Sequence, residues 1–238
     1  MSIYDELGVK RVINASFALT KLGGSMLCRE VMDAMVEANN TWVSIWELEE
    51  KAGKVIAEVT GAEAAHVTSG TFAALALCAA ACITGKNPEK MRKLPDTTGM
   101  KNEIIIQRCM KQMYDRSMSV SGGKIIEVGD QQWGCQPEHI EEAINEKTAA
   151  INYLAGPPPG PPEGIAVPLE EVIRIGKKHD VPIIVDASGQ TYPTEKLRKF
   201  TAMGADLVCY GGKYVLGPQS TGFVVGRRDL VEAIALHN

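Results

Sequence analysis

A chain of 238 residues, 45% apolar and with a mean hydropathy near zero, holds enough material for one large domain or two small ones. Its formal charge of −4, with basic clustering limited to the pairs Lys177–Lys178 and Arg227–Arg228, argues against a nucleic-acid-binding surface. No apolar run reaches the roughly eighteen residues of a membrane span, the start MSIYDELGVKR lacks the apolar core of a signal peptide, and the six cysteines form no CxxC pair, so the expectation is a reduced, cytoplasmic protein without bound metal or a disulfide framework.

Two helical stretches come first, LCREVMDAMVEANNTW (27–42) and ELEEKAGKVIAEVTG (47–61); Gly61 closes the second at a position suited to a helix C-cap. They make residues 1–60 an N-terminal helical arm. Over 61–238, read as one structural unit, short β-branched runs alternate with helical patterns. Strands are expected at 64–69, 103–107, 124–129, 149–154, 182–187, 206–210 and 222–226, with helices between them that include 71–83, 137–146 and 169–180. This is an α/β pattern: three layers around a mostly parallel, seven-stranded sheet buried on both faces. Only turn residues separate the last two strands, so the seventh is expected to run antiparallel. Cys78 and Cys82, one helical turn apart, read as reduced core residues. The loop AGPPPGPPEG (155–164), with five prolines, is either a surface linker or a stiff wall beside a cleft.

Ligands of open parallel sheets bind beyond the carboxyl ends of the strands, so the residues that follow each strand carry the chemical information. After the first come Ser69, Gly70 and Thr71, then an alanine-rich helix. Small hydroxyl residues and a glycine at a helix N-terminus suit a phosphate, and they also suit an ordinary helix cap. The fifth strand ends in Asp186, an acid on an apolar strand, which is costly to bury unpaired. The sixth is followed by Gly211-Gly212-Lys213. A nucleotide P-loop does not fit, because Leu207 stands where its first glycine belongs and Tyr214 follows the lysine; TSGTFA is likewise no GxGxxG fingerprint. Pyridoxal 5'-phosphate needs a phosphate seat, an acid for its ring nitrogen and a lysine for its aldehyde. Here the lysine lies 27 residues after the acid, and each element ends a different strand.

The runs INASFALTKLGGSM, TGAEAAHVTSGTFAALALCAAACITG, IIVDASGQTYP and GADLVCYGGKYVLGPQSTGFVVGRRDL together resemble the fold-type-I pyridoxal-phosphate enzymes, within the group that includes L-seryl-tRNA(Sec) selenium transferase and D-glucosaminate-6-phosphate ammonia-lyase. The resemblance runs from about residue 3 to the end. It implies Lys213 as the Schiff-base lysine, Asp186 as partner of the ring nitrogen, and Ser69, Gly70 and Thr71 as phosphate holders. It also implies Gln190 near the cofactor's phenolate oxygen. The segment Gly217–Thr221, with Ser220 and Thr221, either reaches a neighbouring subunit's phosphate in a dimer or higher homo-oligomer, or is a plain turn.

Several positions depart from that pattern. Relatives often read Asn-Ala-Ser-Gly-Thr where this chain has Phe17 and Ala18 at the last two places. Many have Arg-Gly-His where Arg108-Cys109-Met110 stands, so Met110 takes the place of a ring-stacking residue. Tyr210 replaces a serine ahead of the two glycines. The chain stops at VEAIALHN, where family members normally continue into a smaller C-terminal domain, and that domain is expected to be absent. The implied activity is a lyase that removes the α-proton of an amino acid or amino sugar acid and releases ammonia after β-elimination. Such an anionic substrate suits helix N-termini and arginines such as Arg29 and Arg108. The alternatives are selenium transfer on seryl-tRNA, disfavoured by the acidic balance, and a non-catalytic cofactor-binding or interaction module.

Overall fold

The β-branched runs build one sheet of seven strands, in a computed structural model that describes residues 2–155 and 164–237. The strands are β1 (Ala64–Thr68), β2 (Glu103–Gln107), β3 (Lys124–Val128), β4 (Thr148–Leu154), β5 (Ile183–Asp186), β6 (Leu207–Gly211) and β7 (Gly222–Gly226). Their spatial order is β1-β7-β6-β5-β4-β2-β3. The pairs β2–β3, β2–β4, β4–β5 and β5–β6 are parallel, whereas β7 runs antiparallel to both β6 and β1, as the short connection after β6 requires. Of the proline-rich loop expected over 155–164, only Ala155 and Gly164 are among the described residues.

The helices are α1 (Ile3–Glu6), α2 (Arg29–Asn39), α3 (Ile45–Thr60), α4 (Thr71–Thr84), α5 (Pro88–Lys93), α6 (Arg116–Val120), α7 (Pro137–Ala143), α8 (Leu169–His179), α9 (Lys196–Met203) and α10 (Arg228–Ala235). Gly61 ends α3 in the left-handed region, at φ 67°, the C-cap its position in the sequence suggests. The expected helix 137–146 stops at Ala143, because Ile144 turns extended to lead into β4. Asp180, expected within a helix over 169–180, instead caps α8 at φ 53°. The short helices α1, α5, α6, α9 and α10 offered too few periodic turns to be read from the sequence.

Strand residues alternate strictly between the two faces of the sheet. Ile104, Ile106, Ala150, Ile184, Leu207, Cys209 and Val224 join the core beneath α4 and α10. Ile105, Ile151, Ile183, Val185, Val208, Tyr210 and Val225 join the opposite core, beneath α8 and α9. Each fully buried isoleucine or leucine contributes about 1.5–3 kcal/mol relative to exposure, so a one-residue slip of any central strand is strongly disfavoured. Cys78 and Cys209 are fully buried and face each other across the α4–β6 contact, sulfur to sulfur at 3.5 Å, and both are free thiols. Cys82, expected alongside them in the core, is only partly buried.

The arm attaches unevenly. α3 is tied to α9, where Arg198 Nε donates to Val59 O at 2.8 Å. By contrast α2 buries none of its residues and leaves Met32, Met35 and Val36 open to solvent.

Candidate active site

The strand ends converge on one rim. β1 ends at Thr68, and Ser69 and Gly70 lead into the first turn of α4. Gly70 sits at φ 124°, ψ 169°, a conformation that side chains other than hydrogen resist, and a Cβ there would meet nothing within 4 Å. No side chain among the described residues caps the N-terminus of α4. Its first N–H groups therefore present unsatisfied donors and positive dipole beside open space, a setting that fits a phosphate.

β6 runs into this corner from the other side. A Cβ on Gly211 would lie 3.0 Å from Thr71 Oγ1, so a side chain there would crowd the helix start. Lys213 follows at once, in a tight 3-10 turn spanning Gly212–Val215. Its Nζ donates to Thr20 Oγ1 of the arm and lies 4.9 Å from the centre of the Tyr214 ring. Burial alone pulls the Lys213 amine below the usual lysine range, which enlarges its neutral, nucleophilic fraction at neutral pH. Thr191 steadies the same turn by donating from Oγ1 to Tyr214 O at 2.8 Å. Ser25 of the arm adds a bond from Oγ to Gly217 O at 3.1 Å.

Asp186 ends β5 and is 3% exposed. Its Oδ1 accepts from Ser188 N at 3.1 Å and its Oδ2 from Gln112 Nε2 at 3.0 Å. No lysine or arginine among the described residues forms an ion pair with it. Burial pushes its carboxyl above the usual range, and hydrogen bonding from Ser188 and Gln112 offsets this only in part. A buried carboxylate without a cation is costly, and a protonated ring nitrogen is a chemical partner that would relieve that cost. This feature, together with the open helix N-terminus and the half-buried amine, is what pyridoxal phosphate requires, and the residues present fit the group.

Other expected site residues lie differently. Gln190 is buried, but its Nε2 donates to Ala155 O at 3.2 Å and its Oε1 accepts from Lys196 Nζ at 3.1 Å, so both polar ends are already engaged. Met110 packs in the core cluster with Val128, Cys135 and Tyr153. Ser220 is exposed, and Thr221 donates from Oγ1 to Pro218 O at 2.7 Å within the turn that joins β6 to β7. Neither arginine considered for an anion is free: Arg29 pairs with Asp33 at 3.5 Å and Arg108 with Glu127 at 3.2 Å. Two residues absent from the sequence reading contribute here, Gln112 and Asp115. They follow β2 at its carboxyl end, so the rule that drew attention to Asp186 and Lys213 also reaches them. Beside the lysine turn opens a cleft of about 850 Å³, walled by Phe17, Leu19, Thr191, Tyr192, Tyr214 and Leu216 among others.

The sheet order, the open start of α4, and the acid and lysine at the ends of β5 and β6 define the large domain of a fold-type-I pyridoxal-phosphate enzyme. The chain belongs to the family described as Aminotransferase class-V, which matches residues 23–237 and whose cofactor is pyridoxal 5'-phosphate. Among curated proteins it is 36% identical to a 5'-C-glycyluridine monooxygenase-decarboxylase from Streptomyces sp, over 97% of this chain and 57% of that one. It is 34% identical to the D-glucosaminate-6-phosphate ammonia lyase of Salmonella typhimurium, over 98% and 62% respectively. A solved D-glucosaminate-6-phosphate ammonia-lyase superposes with a TM-score of 0.92 at 33% identity, over 100% of this chain and 63% of the other. The chain thus spans about six-tenths of the length of these relatives.

Proposed function

We propose that this chain carries the catalytic rim of a pyridoxal-phosphate-dependent lyase, which takes the α-proton from a small amino acid or amino sugar acid and releases ammonia after β-elimination. The observation that supports this best is the buried carboxylate of Asp186, without an ion-pair partner among the described residues, on the same rim as the half-buried amine of Lys213. The amino sugar acid class comes from the Salmonella relative, whose name gives D-glucosaminate 6-phosphate as what it acts on.

In this reading Ser69, Gly70 and Thr71 hold the phosphate at the start of α4, Asp186 holds the ring nitrogen, and Lys213 attaches the aldehyde. When bound, the cofactor supplies an electron sink for the pair left behind at the substrate's α-carbon. Asp186 keeps the ring nitrogen protonated, which a neutral side chain cannot do as well. Lys213, once freed by the substrate amine, is the base for the α-proton; its burial-lowered affinity for protons leaves it neutral more often than an exposed lysine. The β-substituent would leave with the electron pair of its bond, the returning Lys213 amine would displace the product nitrogen, and the enamine so freed would tautomerise and be hydrolysed by water to a keto acid and ammonia. Thr20 and Tyr214 orient the amine between turns of chemistry.

The same reading includes a second copy of the chain. Ile13, Met26 and Trp42 are each more than nine-tenths exposed, and the apolar face of α2 lies open beside them. Covering such a surface is the ordinary reason for a subunit interface. Ser220 is exposed, and this reading makes it available to a neighbouring subunit's phosphate. No described helix is long and apolar enough to cross a membrane, and the free thiols fit a reducing, cytoplasmic setting.

The test is to load the purified protein with pyridoxal phosphate, reduce it with borohydride and map the labelled peptide. Label on Lys213, lost in Lys213→Ala, is expected. Label that persists in that variant, or falls on another lysine, overturns the assignment.

A further inference from the structure

Asp186 is bracketed by a segment that comes from two strands away. After β2 the chain makes a 3-10 turn (Arg108–Met110) and then crosses the end of β4 to bring Gln112 to the end of β5. Gln112 makes two bonds to acids: its side-chain Nε2 donates to Asp186 Oδ2 at 3.0 Å, and its backbone N donates to Asp115 Oδ2 at 2.7 Å. Asp115 is itself 7% exposed, so a buried carboxylate fixes the backbone from which the amide reaches the other.

We infer that Gln112 is the positioning residue of Asp186, an amide that orients and stabilises the carboxylate without neutralising it, with Asp115 as the anchor of its backbone. The inference rests on the reading of Asp186 as partner of the cofactor's ring nitrogen.

The chemistry explains why an amide stands there. A lysine or arginine at position 112 would keep Asp186 ionised, but its positive charge would repel a protonated ring nitrogen. A neutral donor favours the ionised carboxylate by hydrogen bonding alone and leaves its full negative charge for the ring. It also occupies only one lone pair of Oδ2, so the same oxygen retains capacity for a second donor. Ser188 N does the equivalent at Oδ1, and the two donors fix the plane of the carboxylate. The titratable groups that feel the charge of Asp186 are Asp115, on the segment that carries Gln112, and Tyr214, beside the lysine.

The test uses two variants, Gln112→Leu, which removes the donor, and Gln112→Glu, which keeps the length and replaces the amide with an acid. In cofactor-free protein with carbon-13-labelled aspartate, the Asp186 carboxyl carbon is followed against pH. Gln112→Leu is expected to raise its midpoint by about one pH unit, the loss of one hydrogen bond to a charged group. Gln112→Glu is expected to raise it at least as far, because a like charge replaces a donor. In protein loaded with nitrogen-15-labelled pyridoxal phosphate, the ring-nitrogen resonance is expected to move from pyridinium toward neutral pyridine in Gln112→Leu and to stay with pyridinium in Gln112→Glu, whose added negative charge favours the protonated ring, while borohydride still traps label at Lys213. A purely structural Gln112 would alter melting temperature and leave both resonances in place, and that result would overturn the inference. Should Gln112→Leu fail to fold, the near-isosteric Glu variant decides alone, through the carboxyl titration. If borohydride traps nothing at Lys213 in the unsubstituted protein, the functional reading fails, while the carboxyl titration still decides whether Gln112 governs Asp186.

Discussion

Replacing Asp186 by asparagine separates a residue kept for chemistry from one kept for stability. In the cofactor-free protein the carboxylate is buried, accepts two hydrogen bonds and has no cation beside it among the described residues. Asparagine has nearly the same volume and removes the charge. Its Oδ1 can accept from Ser188 N, and Gln112 can rotate its amide to accept from the new Nδ2, so no buried group need lose its partner. The expected result is a gain of about 1–3 kcal/mol for the cofactor-free protein, the scale of a buried polar group imperfectly compensated. For a chain of this size each kcal/mol moves the melting temperature by about 2–4 °C, so a rise of several degrees is expected at neutral pH.

The pH dependence gives a second check on the same variant. Burial raises the folded-state pKa of Asp186 above the 3.8 of an unperturbed aspartate. Above the raised value the wild-type carboxylate is ionised in both states and destabilises the fold. Below about 3.8 it is protonated in both states and the penalty is gone. The advantage of Asp186→Asn is therefore largest above the raised folded pKa and shrinks as pH falls through it toward 3.8. Cofactor affinity should move the opposite way, weaker by about ten- to hundredfold, because a charge-assisted bond to the ring nitrogen is lost. Urea titrations at several pH values, paired with spectroscopic binding of pyridoxal phosphate, measure both. A variant that is less stable at neutral pH and binds the cofactor unchanged would refute the assignment of Asp186.

Gly70→Ala should destabilise the protein by about 1–3 kcal/mol although its methyl meets no neighbour, because φ 124°, ψ 169° is strained for any side chain; an unchanged urea midpoint would show that the loop relaxes freely. A thiol reagent should label Cys28, which is exposed, rapidly in the native state, whereas Cys78 and Cys209 should react only on unfolding; Cys135, pushed up to about 11 by burial, should also lag. Early modification of Cys78, seen by mass spectrometry, would mean that α4 opens locally. Trp42→Glu should lower the mass in sedimentation toward that of a single chain without unfolding it, since Trp42 touches little of its own chain; an unchanged mass would place the interface elsewhere.

Much of the fold was legible because its strands are buried on both faces and carry unbroken β-branched runs, such as IIVD and EIII, that turn residues delimit. The antiparallel β7 was legible from the short connection ahead of it. Elements decided by tertiary contact were not. α9 and α10 are eight residues each, too short for periodicity to stand out, and the early end of α7 depends on Ile144 entering the approach to β4. The resemblance implied Gln190 near the cofactor's phenolate oxygen, but no local pattern announces the hydrogen bonds that its amide makes to Ala155 O and Lys196 Nζ.

Gln112 shows the reverse limit. Its neighbourhood, RCMKQMYDRSM, has no helical or strand period, and nothing local distinguishes its amide from an exposed one. Only the sheet order β5-β4-β2 reveals that the chain leaving β2 has one strand to cross before it meets the carboxylate at the end of β5. An acid at a strand end can be recognised from its cost of burial, because that cost is a property of the residue. The donor that makes the cost tolerable is a property of topology. In this rim Asp186 and Lys213 were therefore readable from the sequence, whereas Gln112 and the Asp115 that anchors it became readable only with the strand order.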